Sequence, residues 1–469
     1  MNSQFIPAIN VSDVQHPRLD EAYTYLRGSR PRSPHLHLWP RNGEHRLLVV
    51  QGSQLFDVPT ALAQTLNAAL TEGREKQTLE RLGIDLNPMI NDAPPEAMPV
   101  HAFSLAVAQT CNLSCSYCYA QQGEFGGTAK SMSPEQARKA VDRLIEQTPP
   151  EGRFNLAFMG GEPLINRAVL RDTTEYADQQ ARMRGLTPTF SITTNGTLLT
   201  SEDADFFERY GFAVTVSLDG VGDTHDALRP QRGRTQSKTG QGTYARILRN
   251  LQPLFERQRA MQVTARVTVT PQNLGLRQML DTFLEAGFYS VGFSPMLHAP
   301  GPAEQMNSEH LALMLAEMID CGREFERRTR LGQRYGFANL QNALKEIGKG
   351  THRPYPCGAG AGYLGVSAEG GLYACHRFVG DEVGALGTLD SGIDLVKQHD
   401  WLLSRHVHQQ TDCQQCWAKY LCGGGCHHEV LGAGRAACDY VRGWLQFSME
   451  AFTSLSAFNA TPESPCNND

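Results

Sequence analysis

The sequence predicts an α/β chain built on an open, partial (β/α)6 barrel, with a winged-helix-like module before it and a cysteine-rich module after it. Three observations predict this. Between residues 101 and 331 strand-like and helix-like patterns alternate, as they do where parallel strands are joined by crossover helices. From 34 to 92 short strand-like runs around turns give way to helical periodicity. From 350 to 445 glycine and cysteine accumulate and long helices are few.

The bulk composition sets the frame. With 469 residues there is room for a full enzyme domain and smaller modules. Hydrophobic residues make up 41% and charged residues 20%, ordinary values for a globular chain. Nowhere do about 18 apolar residues run together. The opening "MNSQFIPAINVSDVQHPRLDE" lacks the basic head and apolar centre of a secretion signal. A soluble cytoplasmic protein with no membrane partner is therefore expected. The formal charge of −6 gives no general attraction to nucleic acid, which argues against a nucleic-acid-binding iron or zinc protein. The local basic run "RPQRGRTQSK", with Arg229, Arg232, Arg234 and Lys238, reads as a solvated loop; a guide for an acid-rich peptide is the alternative.

Taken in order, residues 1–33 read as an arm ending in "GSRPRSP". The stretch "LHLWPRNGEHRLLVVQGSQLFDV" alternates around turns at "RNGE" and "QGSQ", and "PTALAQTLNAALTEG" and "EKQTLERLG" carry helical spacing. Recurrent proline makes "DLNPMINDAPPEAMPV" a linker. Six barrel strands follow: "AFSLAVAQ", "RFNLAFMG", "TFSITTNG", "AVTVSLDG", "QVTARVTV" and "SVGFSP". Helical stretches such as "SPEQARKAVDRLIEQ" and "YARILRNLQPLFERQ" lie between them. Right-handed crossovers curl such units into a barrel, and the carboxyl ends of its strands carry the chemistry. Residues 446–469 are expected to form a helix and tail.

Twelve cysteines in a reducing compartment point to metal ligation or catalysis rather than disulfides. Two stand apart. Cys321 lies in the apolar-periodic helix "EHLALMLAEMIDCGREFERR" and packs as a small hydrophobe, and Cys466 lies in the tail. The other ten form two arrays.

The first array is Cys111, Cys115 and Cys118, spaced C-x3-C-x2-C directly after the first barrel strand. Thiolates this close converge on one iron cluster, and three of them leave one iron of a four-iron cluster open; a zinc half-site is the alternative. The motif, with the "GGEP", "TTNG" and "SLDG" turns that end the next strands, resembles the radical S-adenosylmethionine (SAM) family. That resemblance implies a [4Fe-4S] cluster on the three cysteines whose open iron binds SAM. It further implies that Gly160, Gly161 and Glu162 meet the cofactor's amino group. Thr194, Asn195 and Ser217 would line it, with Ser217 at the ribose, Arg266 at the carboxylate and Tyr117 beside the adenine.

The second array reads Cys357-x12-Gly370-x4-Cys375, then Cys413-x2-Cys416-x5-Cys422-x3-Cys426-x11-Cys438. It resembles the SPASM extension of peptide-modifying radical SAM enzymes; paired zinc ribbons are the alternative. The resemblance implies two auxiliary [4Fe-4S] clusters, three clusters in all. Cys413, Cys416, Cys422 and Cys438 would hold the outer one, and Cys357, Cys375 and Cys426 the inner one. The inner set then lacks a fourth cysteine, so that Cys321, another group, water or a substrate cysteine completes it.

The continuation "CYAQQGEFGG" resembles the thioether-forming maturases of ribosomal peptides, and the layout is similar to the maturation enzymes of quinohemoprotein amine dehydrogenase. This implies crosslinks between cysteine sulfur and Asp or Glu methylene carbons of a small Cys- and acid-rich peptide. The N-terminal module would hold the peptide's leader by strand addition. An electron donor such as flavodoxin or ferredoxin is implied as a partner. Other outcomes of the same class are α-carbon thioethers, carbon–carbon crosslinks and formylglycine formation. No residue is singled out as a catalytic base.

Overall fold

The computed structural model describes residues 15–41, 43–94, 98–233, 242–259 and 261–459; Arg234, Lys238 and Cys466 lie outside them. The segment expected to be an arm carries helix α1 (Leu19–Gly28). Its face is legible only with its partners present: Tyr25 packs edge-on against Phe447 at 5.7 Å and donates to Glu450 at 2.7 Å.

Strands β1 (Leu36–Arg41), β2 (Glu44–Val49) and β3 (Gln54–Val58) form an antiparallel sheet in that order. Period-two alternation gives it two apolar faces. Leu36, Leu47, Val49 and Val58 bury against helices α2 (Thr60–Glu72) and α3 (Glu75–Arg81). Trp39, Leu48 and Val50 face the other way, onto Val407, Trp417 and Met449 far along the chain. The module thus shares a core with the second cysteine array.

The barrel strands are β4 (Ala102–Gln109), β6 (Arg153–Gly160), β7 (Thr187–Thr194), β8 (Ala213–Ser217), β9 (Gln262–Val269) and β10 (Ser290–Pro295), with the two-residue β5 (Lys130–Ser131) against β4. The six run parallel in chain order. The connecting helices are α4 (Pro134–Gln147), α5 (Arg167–Met183), α6 (Ser201–Arg209), α7 (Asp223–Leu228), α8 (Thr243–Glu256) and α9 (Leu276–Ala286). Local sequence fixes where they begin. Ser133 caps α4 ahead of Pro134, and Thr200 with Asp203 forms a capping box on α6. This is the partial α/β barrel the sequence predicts.

Helices α10 (Ser308–Arg330) and α11 (Ala338–Gly348) lead into the cysteine-rich region. There β11 (Tyr363–Val366) pairs parallel with β4, and β12 (Gly371–Tyr373), β13 (Ala385–Thr388) and β14 (Gly392–Ile393) extend the sheet antiparallel. β4 is consequently flanked on both sides, and all eight of its residues are buried. Of the short helices α12 (Leu395–Arg405), α13 (Thr411–Gln414), α14 (Lys419–Cys422) and α15 (His427–Ala433), α13 holds Cys413 and α14 Cys422, while Cys416 lies between those two and Cys426 stands at the start of α15. Helix α16 (Cys438–Asn459) starts on a cysteine, before the expected 446, and packs back on α1, α10 and α11.

Candidate active site

The chain leaves β4 at its carboxyl end straight into the first cysteine loop. Cys111, Cys115 and Cys118 are all partly buried. Burial pushes the Cys111 thiol up and that of Cys115 up to about 12, and each also feels the neighbouring thiols of the set. A loop that confines three thiols in a desolvated place favours a ligand that takes up their negative charge, which a cationic metal cluster does. The Leu113 N–H donates to Cys111 Sγ at 3.4 Å.

The glycines after β6 have a packing role of their own. Gly160 sits at φ 136°, and a Cβ there would strike the Ala108 carbonyl. One on Gly161 would strike the Thr110 carbonyl, and one on Gly123, in the "GEFGG" continuation, would strike Gly161. The turn and the cysteine loop therefore close on each other backbone to backbone. Glu162 is wholly buried and accepts from Leu164 N at 3.1 Å, Thr194 Oγ1 at 2.7 Å and Asn195 N at 2.7 Å. Both of its oxygens are occupied within the protein, so it ties the end of β6 to the end of β7.

Asn195 in turn donates from Nδ2 to Asn112 Oδ1 at 2.9 Å and to Cys111 Sγ at 3.7 Å. Ser217, the last residue of β8, is the register partner of Arg266 within β9. The Arg266 side chain is directed to Ser294 Oγ on β10 and opens into a cavity. Tyr117 is buried, with its hydroxyl between Asp219 and Arg229: it donates to the carboxylate and accepts from Arg229 Nη1 at 2.7 Å. Asp219 also pairs with Arg229 at 2.9 Å and accepts from Thr268 N at 2.7 Å.

These last contacts correct one expectation. Arg229 is a nearly buried ion-pair partner, and Arg232 pairs with Glu124 at 2.8 Å, so the described part of the basic run is not a free peptide guide. Sequence reasoning missed Asp219, Asn112 and Ser294 as parts of this site. Asp219 stood beside Ser217 in "SLDG"; the other two carried no local signal.

The cavity, of about 600 Å³, extends from Arg266 and Ser294 to the second array, where Cys413, Cys416, Cys422, Cys426 and Cys438 all line it. Besides burial, which acts first on each, the Cys413 thiol is raised by Cys422, Cys416 and Cys438, to about 11. That of Cys375 is raised by Cys426 and Cys357, to about 12. The thiols thus fall into a group of four and a group of three. Around the group of three, Arg377 reaches Cys426 Sγ at 3.9 Å, pairs with Glu429 at 2.5 Å and lies 5.0 Å over the Tyr119 ring. Cys321 is fully buried in α10, beside Arg277, Asp281, Glu317 and Asp320. It belongs to the core and to neither group. Among the described residues no three His, Cys, Asp or Glu side chains are grouped tightly enough for a single metal ion. The array surrounds a space instead, which suits the donor chemistry of a cluster.

Comparison with known proteins bears on this arrangement. Residues 105–288 match the radical SAM superfamily, a span from β4 to the end of α9. The serine-type anaerobic sulfatase-maturating enzyme of Klebsiella aerogenes is 26% identical over 367 residues, covering 74% of this chain and 85% of that one. The structure of native anSMEcpe with bound AdoMet and Cp18Cys peptide superposes with a TM-score of 0.61 at 18% identity, covering 76% and 99% of the two chains. Streptococcus suis SuiB bound to precursor peptide SuiA gives 0.50 at 12% identity, covering 85% and 96%. No helix among the described residues is long and apolar enough to cross a membrane. The three-cysteine loop at the mouth of the six-stranded parallel barrel lies inside the span that matches the radical SAM superfamily.

Proposed function

We propose that this chain is a radical SAM maturase that oxidises a side chain of a peptide or small protein. One arrangement carries the reading: the Cys111 loop follows the carboxyl end of β4, and Arg266 and Ser294 of the same barrel open into the cavity that five cysteines of the second array line. A SAM molecule on a reduced [4Fe-4S] cluster supplies a hydrogen-abstracting adenosyl radical. The chain's own residues supply position. Cys111, Cys115 and Cys118 hold the cluster, and the Glu162–Thr194–Asn195 contacts fix the floor against which the cofactor lies. Arg266, rooted on Ser294, offers a guanidinium fork to a carboxylate. Cys413, Cys416, Cys422 and Cys438 form one auxiliary cluster site, and Cys357, Cys375 and Cys426 an open second one. Clusters held there would supply an acceptor for the electron given up when the substrate is oxidised.

Among possible outcomes, the sulfatase-maturating relatives favour oxidation of a serine or cysteine side chain to an aldehyde over the thioether crosslink that the sequence suggests. The thioether remains a second reading, supported by the N-terminal sheet, whose β1 and β3 edges are available for a leader strand. The test is anaerobic incubation with SAM, dithionite and a peptide carrying Cys, Ser and acidic residues. Release of 5'-deoxyadenosine with a carbonyl-reactive peptide supports aldehyde formation. A peptide that loses two hydrogens and a thiol that can no longer be alkylated marks a thioether. No 5'-deoxyadenosine with any peptide overturns both.

A further inference from the structure

The segment Arg229–Arg232 and the first cysteine loop, more than a hundred residues apart in sequence, are stitched together by backbone. Ser114 N donates to the Pro230 carbonyl at 2.9 Å, Arg232 N donates to the Asn112 carbonyl at 2.9 Å, and Leu113 bridges antiparallel to Gln231. The stitched residues lie between Cys111 and Cys115. Arg229 stands at the inner end of this clamp. Its guanidinium is held by Asp219 at 2.9 Å and by the Tyr117 hydroxyl at 2.7 Å, and its Nε is buried without a hydrogen-bond partner. Asp219 is itself fixed, by Thr268 N on β9 and by Asn273 Nδ2, which donates to its carbonyl at 2.7 Å. Cys111, Cys115, Glu162 and Asp219 all lie within the electrostatic reach of Arg229. One cation thus faces two of the three loop thiols and two buried carboxyls.

We propose that Arg229 is a positioning residue for the first cysteine site, which fixes the loop and supplies the positive charge that makes its cluster reducible. This rests on the reading that Cys111, Cys115 and Cys118 hold the SAM-binding cluster. A fixed cation near a redox centre favours the state carrying one more electron, and in a desolvated site the effect survives screening.

The experiment uses the full chain, anaerobically loaded with iron and sulfide. The cluster whose EPR signal changes on adding SAM is followed at fixed potentials set with dithionite and mediators. Arg229→Gln is expected to lower the reduced-to-oxidised ratio of that cluster about tenfold, a shift of about 59 mV for one electron. Arg229→Lys is expected to stay within about threefold of the unmodified protein. Asp219→Asn, which removes a negative charge and leaves Arg229 in place, is expected to raise the ratio. A purely structural role would move Arg229→Gln and Asp219→Asn the same way. That result, or an unchanged ratio in Arg229→Gln, overturns the proposal. Should Arg229→Gln fail to take up iron, the test passes to Asp219→Asn, where any result other than a rise overturns it. A wild-type protein with no SAM-responsive signal sinks the underlying reading instead, so the two failures are distinct.

Discussion

Asn195 Nδ2 stands 3.7 Å from Cys111 Sγ, and its amide is locked in that orientation. Asn112 Oδ1 accepts from the same nitrogen at 2.9 Å, while Thr197 N and Thr197 Oγ1 donate to Asn195 Oδ1 at 3.0 and 2.6 Å. An N–H aimed at a ligating sulfur disperses its charge and raises the cluster's potential. Asn195→Leu should therefore make the first cluster harder to reduce and slow SAM cleavage. It also strands the Thr197 donors, at a cost of about 1–3 kcal/mol. EPR-monitored redox titration against thermal unfolding separates the two effects. An unaltered potential in a destabilised protein would leave Asn195 a purely structural residue.

Arg266 makes a sharper prediction about SAM itself. Its side chain meets Ser294 and otherwise faces the cavity, so a bound carboxylate is the natural second partner of the fork. Charge-assisted hydrogen bonds of this kind contribute about 1.5–3 kcal/mol, which predicts roughly 10- to 150-fold weaker SAM binding in Arg266→Met. Arg266→Lys should recover part of it, since the charge remains and the planar fork is lost. Equilibrium dialysis with the iron-loaded protein measures both. Equal affinity in all three proteins removes Arg266 from the cofactor site.

The six barrel strands could be read from the sequence because each is a short apolar or alternating run closed by a turn. All six occur where expected, from Ala102–Gln109 to Ser290–Pro295, with starts differing by at most two residues. The contacts that hold the site were not legible in the same way. Arg229 and Arg232 looked like a solvated charge run because their partners, Asp219 and Glu124, are set by tertiary approach. At Gly161 the sequence pointed to close backbone approach, but not to the protein's own Thr110 as one of the backbones it must admit. Helix α1 was hidden for a related reason: the residues that cover it belong to α10 and α16, hundreds of positions later.

Cys321 tests the division of the thiols. Its side chain is fully buried in α10, its thiol raised well above the ordinary range by burial and by Glu317. Cys321→Ala should leave the iron and sulfide content unchanged, and should cost about 1 kcal/mol of stability for the small cavity it opens. Cys426→Ala, by contrast, should lower the iron content, because Cys357 and Cys375 lose their neighbour. Iron and sulfide assays on the reconstituted variants decide it. Iron loss in Cys321→Ala would return this residue to the ligand set.

His37 predicts an acid-sensitive join between the N-terminal sheet and the second cysteine array. It stacks on Trp417 at 4.2 Å with a 6° interplanar angle, lies 5.0 Å from Trp39, and shares a 3.1 Å hydrogen bond with Gln446. Burial lowers its pKa to about 4, against an opposing pull from Gln446. The sign follows from linkage. Between pH 4 and the ordinary value of about 6.5 the unfolded chain takes up a proton that the folded chain refuses, so stability rises with pH across that window and is lost as pH falls through it. The full difference corresponds to on the order of 3 kcal/mol. His37→Gln, which cannot titrate, should unfold with a shallower dependence on pH from 6.5 to 4 than the unmodified protein. The measurement is urea unfolding followed by tryptophan fluorescence, with Trp39 and Trp417 both at the join. The other buried histidines are common to both proteins and cancel in the difference. Parallel pH profiles would mean that the join tolerates the charge of His37.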